Sequence, residues 1–335
     1  MPKRLHTVEL MTLAYFLCYL PYIMVTRHLS TQDQVTLGRP LTGLEILPGM
    51  LIVAALLTLV FCLAMGWFKN VRRVQVGPFS LPLGTRDTML QGLCTAVILV
   101  TVPISYTLVG VSIPLIQLLM RGDILIIAPL VDKLNGRVVH WWSWAALALV
   151  LIGMVVAFLG RGDLAIGWNA VAVVVIYTAA YFGRLLIMTK ISKDGEIEKV
   201  KTIFLEEKIV GFPLALAALG ILGLFAQFLG GGDEVRLGFV AIWTMPEFGV
   251  VAFCGAMVFL TGIFATFILL DARENSFCVP LERSASILAG VIGSIWLAQY
   301  FGGRMPSQGE FIGAGLMVVA ILVLSFGPRI SKAAA

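Results

Sequence analysis

The feature that most constrains this chain is a succession of apolar runs, each long enough to cross a lipid bilayer: Leu10 to Val25, Ile46 to Phe68, Thr88 to Leu108, Ser112 to Leu130, Trp141 to Leu159, Ile166 to Met188, Ile203 to Leu229, Phe248 to Leu270, Phe277 to Tyr300 and Phe311 to Phe326. A hydrocarbon core about 30 Å thick is spanned by about 20 helical residues rising about 1.5 Å each. Within lipid the backbone must satisfy its own N–H and C=O groups, so runs of this length that do not alternate in polarity are helices. The expectation is an all-α membrane protein of ten transmembrane helices with short connections and no soluble domain. Composition agrees, with 59% hydrophobic and 13% charged residues, far from the balance of a soluble domain.

The formal charge of +5 does not point to nucleic acid, because the basic residues lie in the short loops, where they act as topology signals. With the N-terminus cytoplasmic, the inner segments hold fifteen Lys and Arg, from Lys3 and Arg4 to Arg329 and Lys332. The outer segments hold five, Arg27, Arg39, Arg161, Arg236 and Arg304. Both termini are therefore expected on the cytoplasmic side of an inner or organelle membrane, a bacterial inner membrane first. Lys3 and Arg4 ahead of an apolar run imitate a signal peptide, but no small-x-small site follows before Arg27 and His28, so the first span is read as uncleaved. The five cysteines form no CxxC or Cys/His spacing, and His6, His28 and His140 lie near the ends of different spans, so neither a disulfide framework nor a metal site is indicated.

The two halves of the chain repeat one another. Tyr15, Tyr19 and Tyr22 in the first span have the spacing of Tyr177, Tyr181 and Arg184 in the sixth, and Cys94 and Thr101 in the third that of Cys254 and Thr261 in the eighth. Gly136-Arg137 and Gly303-Arg304 are each followed at the same distance by a glycine, Gly160 and Gly327. An odd number of spans per half inserts the second half upside down, which predicts inverted repeats over residues 1–160 and 161–335.

Ten spans in two inverted five-span halves, with a Gly-Arg turn between spans four and five and again between nine and ten, resemble the drug/metabolite transporter superfamily (EamA-like). Asn275 to Ser294, NSFCVPLERSASILAGVIGS, is similar to the ninth span of its triose-phosphate and nucleotide-sugar translocator branch. In that branch a lysine of the fourth span and a Lys-Arg pair of the ninth hold an anionic phosphate in a central cavity. By that resemblance Arg121 corresponds to the lysine and Glu282-Arg283 to the pair. Glu282 puts an anion where the branch has a cation, so Arg283 alone carries over unchanged.

The charges near the middle of Ser112 to Leu130, Arg121 and Asp123, are costly in lipid and need partners. Pro114, Gln117 and Arg121 share one stripe of the helix, while Asp123 points to the other side, so the two cannot simply neutralise each other. Two readings stay open: an exchange of Arg121 with Glu282 or Asp123 with Arg283 that locks the fourth and ninth spans, or an arginine reserved for substrate. The stripes Tyr15, Tyr19, Tyr22 and Tyr177, Tyr181, Arg184 can pack helices or line an amphipathic cavity. Arg184 near a span end is read as snorkelling to the interface. Glu206, Glu207 and Lys208 open the seventh span, where acids complement a helix N-terminus, with Glu206 as an alternative coupling residue.

Gly160-Arg161-Gly162-Asp163 spells the GxGD of intramembrane proteases, but in an outer loop after a span without aspartate. No P-loop of the form GxxxxGK followed by Ser or Thr is present. The resulting expectation is a secondary-active or exchange transporter, not an enzyme, without cofactor or metal. Its partners are the lipid bilayer and a small organic metabolite with an anionic group, and a homodimer stays open. Export of amino acids or amine-like cations, or a membrane-embedded enzyme or scaffold, is the alternative.

Overall fold

A computed structural model describes residues 3–76, 79–81, 84–108, 113–136, 138–160, 167–191, 196–228, 232–302 and 305–333. The side chains of a minority of helical residues, Arg121 and Asp123 among them, lie outside what is described. The long helices are α1 (Lys3–Leu29), α2 (Gly43–Ala64), α3 (Arg86–Thr107), α4 (Ile113–Leu134), α5 (Trp141–Leu159), α6 (Trp168–Ile191), α7 (Ile197–Phe228), α9 (Phe248–Leu269), α10 (Asn275–Phe301) and α11 (Gln308–Ala333), with a short α8 (Asp233–Phe239) between α7 and α9. Among the described residues seven of them, α1, α2, α3, α6, α7, α9 and α10, are long and apolar enough to cross a membrane, the make-up of a multi-pass membrane protein.

The connections are not all featureless. Between α2 and α3 a hairpin pairs β1 (Val74–Val76) with β2 (Phe79–Leu81), Gln75 opposite Ser80. Between α7 and α9, α8 and a 3₁₀ turn (Ala241–Thr244) pack under α2, where Gly238 meets the Glu45 carbonyl so closely that a Cβ would lie 2.6 Å from it. The apolar-run reading passes over both because neither is long enough to register against a bilayer. It also starts α7 too late: Ile197 to Thr202 is already helical, a charged turn held by the pairs Glu198–Lys201 (2.7 Å) and Glu196–Lys199 (3.3 Å).

Helices surrounded by lipid gain little from hydrophobicity and associate through close packing of small residues. The α5–α11 seam is an instance: a Cβ on Gly160 would lie 2.8 Å from Gly309 Cα, and one on Gly153 3.1 Å from the Gly313 carbonyl. By contrast Gly315 faces open space. This pair packs on α4 and α10, and in the rest of the bundle α1 lies on α9 and α10, α6 on α3 and α4, α2 on α9, α7 on α3, and α4 on α10. Helix α10 is enclosed along most of its length, buried continuously from Asn275 to Ile287.

The starts of α3, α7 and α10 and the ends of α4 and α6 share one face of the bundle, called here the first face. There Asp132 at the end of α4 accepts from Asn275 (backbone N–H 3.0 Å, Nδ2 2.8 Å) and Ser276 (backbone N–H 2.8 Å, Oγ 2.7 Å), and Asn275 Nδ2 also donates to Thr189 of α6 at 2.7 Å. The carboxylate thus satisfies the open first turn of α10. On the opposite face Arg27 donates to the carbonyls of Tyr106 and Leu108, closing α1 onto the end of α3.

Candidate functional site

Residues spaced i, i+4, i+7 lie on one side of a helix. Tyr15, Tyr19 and Tyr22 form such a stripe on α1, all buried, with Tyr15 stacked on Tyr19 (5.1 Å between ring centres) and Tyr22 edge-on to Tyr106 at 6.0 Å. Tyr177 and Tyr181 form the corresponding stripe on α6, their rings 5.8 Å apart. Both stripes line the same cavity, of about 130 Å³, on the scale of cavities that hold one benzene ring. Its walls are completed by Thr95, Leu99 and Pro103 of α3, by Phe204, Lys208 and Phe212 of α7, by Phe259, Thr261 and Ala265 of α9, and by Glu282 and Arg283 of α10. The cavity is therefore apolar and aromatic over most of its surface, with charge at two places.

The first is a cluster centred on Glu207. Its carboxylate, fully buried, accepts from Arg184 Nε and Nη2 (3.2 and 3.1 Å), Thr95 Oγ1 (2.7 Å), Lys208 Nζ (3.1 Å) and Gln91 Nε2. Arg184 is thus an internal ligand of Glu207 and does not run to the membrane interface. The early start of α7 puts Glu206, Glu207 and Lys208 about three turns into the helix at about 3.6 residues per turn, not at its N-terminus. Two glycines make the cluster possible: a Cβ on Gly92 would fall 2.6 Å from Val210 Cβ, and one on Gly211 3.3 Å from the Gly92 carbonyl, so α3 approaches α7 closely enough for Gln91 and Thr95 to reach the carboxylate. The signal for Lys208 was its register. Phe204 and Phe212, one turn to either side, place it on the inward stripe, and its ammonium lies 5.7 and 5.9 Å from their ring centres.

The second charged place is on α10. Arg283 Nε lies 3.2 Å from Glu282 Oε2, its guanidinium sits 4.1 Å over the Tyr181 ring, and the Tyr181 hydroxyl donates to the same carboxylate oxygen at 3.4 Å. Glu282 and Arg283, neighbours on one helix, are brought together by the α6 stripe. Arg121 and Asp123, the residues proposed to face them, have side chains outside those described.

Two further expected residues stand back from the cavity wall. Gln117 is fully buried between α4 and α10: it donates to the Tyr106 hydroxyl at 3.4 Å, and Gly290 leaves room for it, since a Cβ there would collide with Gln117 Oε1. Glu206 turns to the first face and accepts the backbone N–H of Arg72 at 3.2 Å. Beside that face His140 and Ser143, at the start of α5, donate to Glu274 just ahead of α10. Among the described residues no group of three His, Cys, Asp or Glu side chains could hold a metal ion.

No protein-family model matches the sequence, and no curated protein matches it. Solved structures do. One of them, described only as a protein, aligns over 95% of this chain and 97% of its own at a TM-score of 0.59 and 16% identity. A likeness at that identity is one of fold.

Proposed function

We propose that this chain is a secondary transporter of the drug/metabolite type: ten spans in two inverted halves, residues 1–160 and 161–335, carrying a small organic metabolite with an anionic group by alternating access. The observation that carries the reading is the pair of stripes spaced identically in sequence, Tyr15, Tyr19, Tyr22 and Tyr177, Tyr181, Arg184, which line one cavity from two helices. Buried ionisable groups amid membrane helices mark solute paths more often than structure.

The packing supports the inverted repeat. Exchanging α1 with α6, α2 with α7, α3 with α9 and α4 with α10 turns the contact of α1 on α9 into α6 on α3, α1 on α10 into α6 on α4, and α2 on α9 into α7 on α3, all of which occur. The cations of the cavity favour an anionic solute, while Glu282 in the wall favours, as a second reading, an amino acid or amine. The loop charges support both termini on the cytoplasmic side, and the membrane proposed is a bacterial inner membrane.

Purified protein in proteoliposomes tests the reading. Counterflow of a labelled organic anion, abolished by filling the cavity with Ala265→Trp, is the expected result. Product formation without movement of solute would replace it with a membrane enzyme.

A further inference from the structure

The charge of the Glu207 cluster does not balance. Arg184 meets the Glu207 carboxylate through two nitrogens and neutralises it, and the carboxylate's remaining acceptor sites are shared by Thr95 and Gln91. Lys208 adds one more cation to the same oxygen, 3.1 Å away. The ammonium has three donors. Among the described residues Glu207 is its one acceptor, and the side chain, 92% withdrawn from solvent, borders the cavity between Phe204 and Phe212. Glu206 lies one residue away but bonds the Arg72 backbone at the first face. On the other wall Glu282 and Arg283 are of opposite sign and adjacent. Among the described residues the cavity is left with a surplus of one positive charge. Burying a surplus charge is costly unless a counter-ion completes it.

We infer that Lys208 is the residue that takes the anionic group of the solute, and that the site is built for a singly charged carboxylate on an aromatic or apolar body. A single surplus cation is matched by one negative charge, and a phosphate dianion would bring a second without a partner. The rest of the lining offers ring faces and edges, to which a flat apolar body is complementary. Glu207 and Arg184 then act as positioning residues that hold the ammonium at the cavity edge. The inference rests on the transport reading only in taking the occupant to be the carried solute.

Three probes of one shape and different charge test it on the full chain in lipid nanodiscs: phenylacetate, phenethylamine and phenyl phosphate. Wild type should bind phenylacetate at least about tenfold more tightly than either of the others. Lys208→Met should weaken phenylacetate by about tenfold to a hundredfold, the usual range for losing a charged hydrogen bond, and Lys208→Arg should keep most of the affinity. Equal binding of phenylacetate by wild type and Lys208→Met, a wild-type preference for phenethylamine or phenyl phosphate, or no binding of phenylacetate would each overturn the assignment. Should the Met variant fail to fold, the wild-type order of the three probes still decides. Counterflow of labelled phenylacetate separates the two conclusions. Binding that depends on Lys208 without counterflow leaves the site and removes transport; counterflow of another solute, indifferent to Lys208→Met, leaves transport and removes the site.

Discussion

Glu45 and Glu207 are separated by the same 162 positions that relate the two tyrosine stripes, yet their surroundings differ. Glu45 lies in the first turn of α2, where it accepts the Thr42 backbone N–H at 2.8 Å and pairs with Arg39, a half-exposed residue of the preceding loop. Glu207 lies three turns into α7 because that helix begins earlier, and its arginine comes from α6, at the position Tyr22 holds on α1. Both carboxylates are buried, but the first caps its own helix and the second is held by side chains of three helices beside the cavity. A helix start moved by a few residues is enough to change a helix cap into the centre of a cluster beside the cavity.

The difference should be largest when each arginine is removed. Arg184→Met leaves a buried carboxylate short of its main partner and should destabilise the protein by about 3–5 kcal/mol. Arg39→Met removes a partner that is itself half-exposed and leaves the buried Glu45 carboxylate its bond from the Thr42 N–H, so it should cost less, about 1–3 kcal/mol. Thermal and denaturant unfolding in detergent compare them directly, and equal losses would end the distinction.

Gly49 and Gly211 stand at the same offset and test the packing beneath each glutamate. A methyl on Gly211 meets the Gly92 carbonyl at 3.3 Å, a backbone group that cannot turn aside, whereas on Gly49 the nearest atoms are methyls of Ile242 and Val251 at 3.3 Å. Gly211→Ala should destabilise by about 1–3 kcal/mol and pull Gln91 and Thr95 from Glu207, while Gly49→Ala stays below about 1 kcal/mol. Equal melting points for the two variants would show that the α3–α7 contact yields as easily as α2–α9.

The smallest contrast is between Asp87 and Glu247, related by the 160 positions that separate Cys94 from Cys254. Asp87 makes an exposed pair with Lys190, and Asp87→Asn should change stability by no more than about 0.5 kcal/mol. Glu247 accepts the backbone N–H and hydroxyl of Thr36 at 3.2 and 3.0 Å. Burial pushes its carboxyl up, but hydrogen bonds at its own backbone and from Thr36 outweigh this and hold it below the usual carboxylate range. Its contribution is therefore full at neutral pH, above the unfolded-state value, and is lost as pH falls through the lower folded-state value. Glu247→Gln should flatten the acid limb of the stability profile, and an unchanged limb would remove Glu247 from the account.

How much of this could be read beforehand depended on range. Bilayer-length apolar runs and identically spaced tyrosines are local patterns, and the helices and both stripes follow from them. The Glu207 cluster joins α3, α6 and α7, and nothing near Arg184 in sequence announces a carboxylate 23 positions on, so an arginine by a span end reads as an interfacial one. The hairpin at Val74–Leu81 and α8 lie in stretches where hydropathy is mute. Gln117 needs Gly290 on a distant helix before its burial makes sense.

Helix α10 carries one more consequence, for biogenesis. Of the seven helices that are, among the described residues, long and apolar enough to cross a bilayer it is the least apolar and the most enclosed, with Asn275, Ser276, Glu282, Arg283, Ser284 and Ser286 in its first half. A segment so polar partitions poorly from the translocon into lipid by itself, since each central charge opposes insertion by about 2.5–3.5 kcal/mol. Its integration is therefore coupled to assembly with α1 and α4, synthesised earlier, and is completed by α11. Damage to those partners would surface first as chains that fail to integrate and are degraded, before any copy reaches the membrane to be assayed.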